Sequence, residues 1–186
     1  MLVLGERRRR ARRVRAIGYA LIMLGWWASL YVGYSGSMDP QLRGFLLFLH
    51  LASLTVGLGA AVAVEYSGAL WAIGRGTLSS LLQTEERLAV PAWVGYAALL
   101  VTGAMLSPDP RSPATALKLA AVLVVGLNAI AVQRLTTELS RLPEDLSFAR
   151  APWRVRVWSL GSGILSQLAW WTAALVGALN TAGRGT

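Results

Sequence analysis

Residues 44–73 read GFLLFLHLASLTVGLGAAVAVEYSGALWAI, an uninterrupted run in which His50 and Glu65 are the only basic and acidic side chains. A transmembrane helix needs about 20 mostly apolar residues, because each residue adds about 1.5 Å of rise. A helix also pairs its own backbone groups, which lipid cannot do. The run therefore predicts a helix that crosses a membrane.

The composition of the whole chain agrees with a membrane protein. Of its 186 residues, 55% are hydrophobic and 15% charged, and the mean hydropathy is +0.51, unlike a soluble domain. The formal charge is +9, but seven of the eighteen basic residues lie between Arg7 and Arg15, directly before an apolar run. This placement predicts binding to a lipid bilayer with an anionic cytoplasmic leaflet and no nucleic acid partner.

Four further apolar runs resemble the first, so the predicted fold class is all-α, a polytopic membrane protein with a bundle of five transmembrane helices. The predicted spans are residues 16–34, 44–73, 91–106, 114–134 and 157–180. A basic cytoplasmic arm, 1–15, precedes the transmembrane domain 16–180, and a cytoplasmic loop, 135–156, lies within it. Polar turns are predicted at 35–43 and 107–113, and Pro91 is placed in the first turn of the third span, where its missing N–H costs nothing.

The distribution of arginines predicts the orientation. Arginines of the N-terminal arm, of the loop that holds Arg75 and Arg87, and of the loop 135–156 fall on one side of the membrane, whereas Arg43, Arg111 and Arg184 fall on the other. Because cytoplasmic loops carry the excess of basic residues, we predict a multi-pass protein of the bacterial inner (plasma) membrane, with its N-terminus cytoplasmic and its C-terminus outside.

One face of the second span is small and polar. His50, Ser53, Gly57, Ala61 and Glu65 fall within about 120° of one another at 100° per residue. Small residues four apart let helices approach closely, so one interpretation is helix packing alone. The other is a polar path or ligand site with His50 and Glu65 as its titratable ends.

Three polar residues in other spans are further candidates for this path. Lys118 either extends to the outer surface or points inward, toward a substrate anion or His50. Asn128 lies about 80° around the helix from Lys118, so one narrow site would not use both. Gln167 falls near the midplane of the fifth span.

Two tryptophan pairs, Trp26–Trp27 and Trp170–Trp171, lie deeper than an interfacial belt. They fill space between helices or line a cavity for a flat or cationic ligand. At most one ring of each pair can face a given neighbour.

Several chemistries lack their residues, and we predict no enzyme and no catalytic residue. A single histidine cannot supply bis-histidine haem ligation within one chain, no cysteine is available for thiolate sites, and no Ser-His-Asp set is visible. Glu85 and Glu86 are predicted to lie in a solvated loop.

Short motifs of the second to fourth spans resemble small bacterial membrane proteins related to the copper-resistance D family. The motifs are Phe48-Leu-His-Leu51, Gly57-Leu-Gly59, Thr102-Gly-Ala-Met-Leu106, Leu117-Lys-Leu and Leu127-Asn128. The resemblance implies copper handling, for which it assigns His50, although the Trp-x-Gly that follows the histidine in that family is missing.

Three functions follow from these observations as alternatives. The first is passage of a small solute or ion along the polar face of the second span. The second is a membrane redox or cofactor-binding subunit that holds haem, quinone or copper, and the third is a structural or assembly partner. A homo-oligomer is predicted because five helices enclose little space.

Overall fold

A computed structural model describes residues 2–35, 41–106 and 111–182 and contains five α-helices in this part of the chain. Each helix contains a stretch long and apolar enough to cross a membrane, which confirms the predicted fold class. The elements are α1 Leu2–Ser35, α2 Arg43–Ala72, α3 Leu78–Met105, α4 Pro113–Leu139 and α5 Trp153–Ala182, with a 3-10 turn at Phe148–Arg150.

Two helices begin earlier than the sequence predicted. Helix α1 begins at Leu2 and so includes residues 2–15 of the predicted arm, and α3 begins at Leu78, well before Pro91. Pro91 therefore lies inside α3, where it removes one backbone hydrogen bond. The turns before it are held by the cap at Thr77, whose side chain accepts from the Ser80 N–H at 3.1 Å, and by burial of Leu78.

The other boundaries shift by a few residues. Helix α4 continues to Leu139 and α5 begins at Trp153, so the loop predicted at 135–156 is shorter. The predicted turns at 35–43 and 107–113 fall partly on residues 36–40 and 107–110, which lie outside the described residues, as does Arg184.

The helices form two hairpins and one outer helix. Helix α2 packs mainly against α3, and α4 packs mainly against α5, whereas contacts between these two hairpins are sparser. Helix α1 lies outside them against α3 and α4. Outward side chains such as Leu21 (64% exposed) and Leu168 (64% exposed) are apolar, as a surface in contact with lipid requires.

A close contact between two backbones joins Gly57 of α2 to Gly95 of α3. A Cβ atom added at Gly95 would lie 2.5 Å from the Gly57 nitrogen and 2.6 Å from its Cα. Lipid tails are as apolar as leucine, so close van der Waals packing between small residues, rather than exclusion of water, holds such helices together. Any side chain at Gly95 would separate the hairpin.

A compact apolar layer closes one end of the bundle. This end, where α1 begins and α2 ends, is called here the arginine-rich end, and the opposite one the far end. The indole N–H of Trp71, 1% exposed, donates to the Leu146 carbonyl at 2.8 Å, and its ring packs edge-on against Phe148 with centroids 4.9 Å apart. The segment between α4 and α5 is thereby fixed beneath the helices.

We expect Gly95→Ala to lower the stability of the bundle by about 1–3 kcal/mol, because the methyl group overpacks the contact with Gly57. The matched control is Gly59→Ala on α2, where an added Cβ meets no atom within 4 Å, so the higher helix propensity of alanine should leave stability unchanged or raised. Thermal unfolding in detergent, followed by tryptophan fluorescence, measures both. Equal effects of the two variants would contradict the packing described.

Candidate functional site

A cavity of about 450 Å³ lies between the two hairpins, in the half of the bundle nearer the arginine-rich end. All four helices α2–α5 contribute to its wall, which is mostly apolar. The polar side chains that line it are Glu65, Glu85, Tyr96, Asn128, Gln133, Thr136, Ser159, Ser162 and Ser166. None of the described residues that line the cavity is basic.

The cavity ends at the level of the Gly57–Gly95 contact. Trp170 of α5, 5% exposed, lies against this contact, since a Cβ at Gly57 would be 2.9 Å from its ring. The ring fills the space that two glycines leave open between the hairpins. It also separates the cavity from the polar residues nearer the far end.

Glu65 lies in the cavity wall, about 10 Å from the end of α2 as estimated from the rise per residue. Its carboxylate lies beside Ser166 and Gln167 of α5. Gly163 lies next to this carboxylate, because a Cβ there would be 3.5 Å from Glu65 Oε2. The Glu65 carboxylate of the first hairpin therefore packs against small residues of α5, which belongs to the other hairpin.

Glu85 is a second carboxylate in the same wall, which corrects the prediction of a solvated loop. It lies on α3, and its Oε1 accepts a hydrogen bond from the Thr136 hydroxyl at 2.5 Å. Ser67, two residues after Glu65, contacts Thr84, the neighbour of Glu85, with their hydroxyl oxygens 3.4 Å apart. The two carboxylates thus lie at nearly the same depth, while Glu86 is exposed.

The remaining polar groups of the wall differ in whether they have partners. Asn128 Nδ2 donates to the Ser162 carbonyl at 3.0 Å and joins α4 to α5. The hydroxyl of Tyr96, a residue 4% exposed, has no hydrogen-bond partner among the described residues and lies close to Gly126. Sequence reasoning missed Tyr96, since a tyrosine in an apolar run gives no signal of its own.

His50 belongs to a separate polar cluster nearer the far end. Its Nδ1 lies 2.8 Å from Thr102 Oγ1, and the Thr102 hydroxyl is 2.6 Å from the Ala98 carbonyl. Because that carbonyl can only accept, the Thr102 proton is committed to it and Nδ1–H donates to Thr102. Lys118 is close enough for its charge to act on His50, and its Nζ lies against Gly177 of α5.

The predicted polar face of α2 points into the bundle but does not form one continuous path. Gly57 and Ser53 take part in the contact with α3, where Ser53 supplies its carbonyl next to Gly95. His50 lies on one side of this contact and Glu65 on the other. Each of the two interpretations of the face therefore applies to a different part of it. Gly57 and Ser53 pack against α3, whereas Glu65 lines the cavity.

Each tryptophan pair has one inward and one outward ring. Trp26 Nε1 donates to the Leu119 carbonyl of α4 at 2.9 Å, whereas Trp27 is 60% exposed. Trp170 lines the cavity, whereas Trp171 is 50% exposed and donates to Gln167 Oε1 at 2.9 Å. Trp170 is thus the ring of these four that reaches the cavity.

The described neighbours of His50 are Thr102, Gly103 and Lys118, and none of these three offers a thiolate, imidazole or carboxylate ligand. The assignment of copper to His50 stays a prediction. Among the described residues, no three His, Asp or Glu side chains come together as metal ligands.

No protein-family model, curated protein or solved structure matches this chain. The resemblance to the copper-resistance D family stays a prediction. The site must therefore be interpreted from its own geometry.

We expect Thr102→Val to lower stability by about 1–3 kcal/mol, because it leaves the buried Nδ1–H of His50 without an acceptor. Thr102→Ser keeps the hydroxyl and should preserve most of the stability. Thr55→Val is the matched control, since Thr55 is exposed and its hydroxyl donates within its own helix to Leu51. Thermal unfolding in detergent compares the three, and a Thr102→Val protein as stable as wild type would show that the pair does not matter.

Proposed function

We propose that the chain passes a small solute or ion across the bacterial inner membrane and that the cavity is the binding site on its route. The observation that carries this proposal is the position of two carboxylates, Glu65 and Glu85, on the wall of a cavity between two hairpins. An acidic side chain at membrane depth costs on the order of 2.5–3.5 kcal/mol unless it faces a partner or a cavity. Two acidic side chains at the same membrane depth are typical of a pathway for solutes or ions.

The route continues on the far side of Trp170. The cluster of His50, Thr102 and Lys118 lies there, at about the same distance from the far end as the carboxylates from theirs. Passage requires the hairpins to separate at the level of Gly57 and Trp170. The sparse contacts between the two hairpins, compared with those within each, favour such a motion over unfolding of either hairpin.

The arginines give this route a direction relative to the cell. Arg75, Arg87, Arg141 and Arg154 lie at the arginine-rich end, together with the arginines at the start of α1. By the excess of basic residues in cytoplasmic loops, this end is cytoplasmic, the C-terminus is outside, and the cavity lies in the cytoplasmic half. An anionic cytoplasmic leaflet is then the lipid partner of α1.

The homo-oligomer was predicted because five helices enclose little space, and the cavity bears on that reason. A space of about 450 Å³ lies within one chain, so the route does not require a second copy to enclose it. The homo-oligomer stays a prediction.

A quinone-binding or other cofactor-binding subunit is the second candidate. The rings of Trp71, Trp93 and Trp170 line the same cavity, and stacked aromatic walls suit a flat ligand. A visible absorption spectrum of the purified protein, with quinone extraction, separates this candidate from the first. A stoichiometric chromophore or quinone would favour it over passage.

We expect purified protein in liposomes to speed osmotic swelling under an inward gradient of at least one small solute. The probes are the thiocyanates of sodium, ammonium, methylammonium and choline, whose permeant anion balances the charge of each cation, with glycerol as the neutral solute. Swelling is followed by stopped-flow light scattering. Glu65→Gln and Glu85→Gln should each slow the rate about tenfold, as loss of about 1.4 kcal/mol predicts, and His50→Ala should slow it as well.

The matched control is Glu86→Gln, which removes a carboxylate next to Glu85 but outside the cavity. It should keep the wild-type rate. Swelling no faster than in protein-free liposomes for every probe would overturn the proposed function.

A further inference from the structure

We propose that the cavity binds a small organic cation, an amine or quaternary ammonium group attached to an apolar body. This inference narrows the solute of the proposed function and rests on that function for the role of the cavity. The class of ligand is inferred independently, from the charges and the wall residues of the cavity.

The two carboxylates have neutral neighbours. Glu65 lies beside Ser166 and Gln167, and Glu85 accepts from the Thr136 hydroxyl. Among the described residues, the one ion pair joins Arg134 to Glu138, two exposed side chains of α4. A carboxyl group in a low-dielectric cavity either takes up a proton or needs a cation to offset its desolvation, and no basic side chain lines the wall to act as that cation.

The walls around the carboxylates are aromatic and apolar. The aromatic residues that line the cavity are Trp71, Trp93, Tyr96, Phe148 and Trp170. Aromatic faces attract ammonium groups, most strongly where the cation is desolvated, and tryptophan does so best. The alanine, glycine and leucine residues between them accommodate a hydrocarbon body.

Other ligand classes fit this cavity less well. Divalent metal ions in proteins are commonly held by several acidic or histidine side chains at one point, and no three His, Asp or Glu residues come together in the described part of the chain. An anion would meet two carboxylates without a basic partner, and a neutral solute would leave them uncompensated. The volume of about 450 Å³ lies in the range of about 300–1,000 Å³ typical of small-molecule sites.

The test uses two probes of the same shape, benzyltrimethylammonium and neopentylbenzene, in which carbon replaces the charged nitrogen. Binding to the full chain in lipid nanodiscs is followed by quenching of tryptophan fluorescence and by competition between the probes. We expect saturable binding of the cation, at least tenfold tighter than that of the neutral isostere. Because this comparison uses the wild-type protein, it does not depend on the folding of any variant.

Variants then locate the site. Glu65→Gln and Glu85→Gln should each weaken binding of the cation about tenfold, and the double variant should remove the preference for charge, while Glu86→Gln should bind as wild type does. Circular dichroism and gel filtration establish that each variant is folded. Equal binding of the two probes to wild type, or full preference in the folded double variant, would overturn the inference.

Failure of the inference can be distinguished from failure of the proposed function. Tight binding of benzyltrimethylammonium without passage of any probe in liposomes would support the ligand class and overturn transport. If a solute passes and the Glu65→Gln and Glu85→Gln variants slow it, but the protein does not prefer the organic cation to its neutral isostere, transport is supported and the ligand class is overturned.

Discussion

The contact between Gly57 and Gly95 determines the arrangement of everything around it. Two backbones that touch without side chains bring α2 and α3 together at one level, and helix packing in lipid depends on such contacts because the solvent gives no hydrophobic drive. Trp170 of α5 occupies the remaining space beside them. The contact is therefore both the closest packing in the first hairpin and the end of the cavity.

A second constraint closes the other end of the cavity. The segment between α4 and α5 is not a free loop, because Trp71 binds its backbone at Leu146 and packs on Phe148. Leu78 and Leu139 are buried in the same layer. The cavity thus lies between two packed layers, and its wall holds the two carboxylates.

Much of this fold could be predicted from sequence, because a hydrophobic span is specified by length and composition alone. The polar face of α2 was also predictable, since His50 and Glu65 interrupt an apolar run at helical spacing. Glu85 was not. It belongs to a charged stretch before Pro91 that looks like a loop, and only the packing of α3 against Thr136 brings it into the bundle. The direction of the Tyr96 hydroxyl likewise depends on the tertiary contact with Gly126.

Two of the polar groups that join helices are neutral and paired. Asn128 donates to the Ser162 carbonyl, and Trp26 donates to the Leu119 carbonyl, so each such bond is complete without a charge. Glu65 and Glu85 differ, because neutral hydroxyl and amide groups stabilise a carboxylate only in part and a glutamine could make the same contacts at lower cost. A cation in the proposed site would offset that cost. The two acidic side chains, rather than the polarity of the face as such, are therefore the feature on which the proposed function depends.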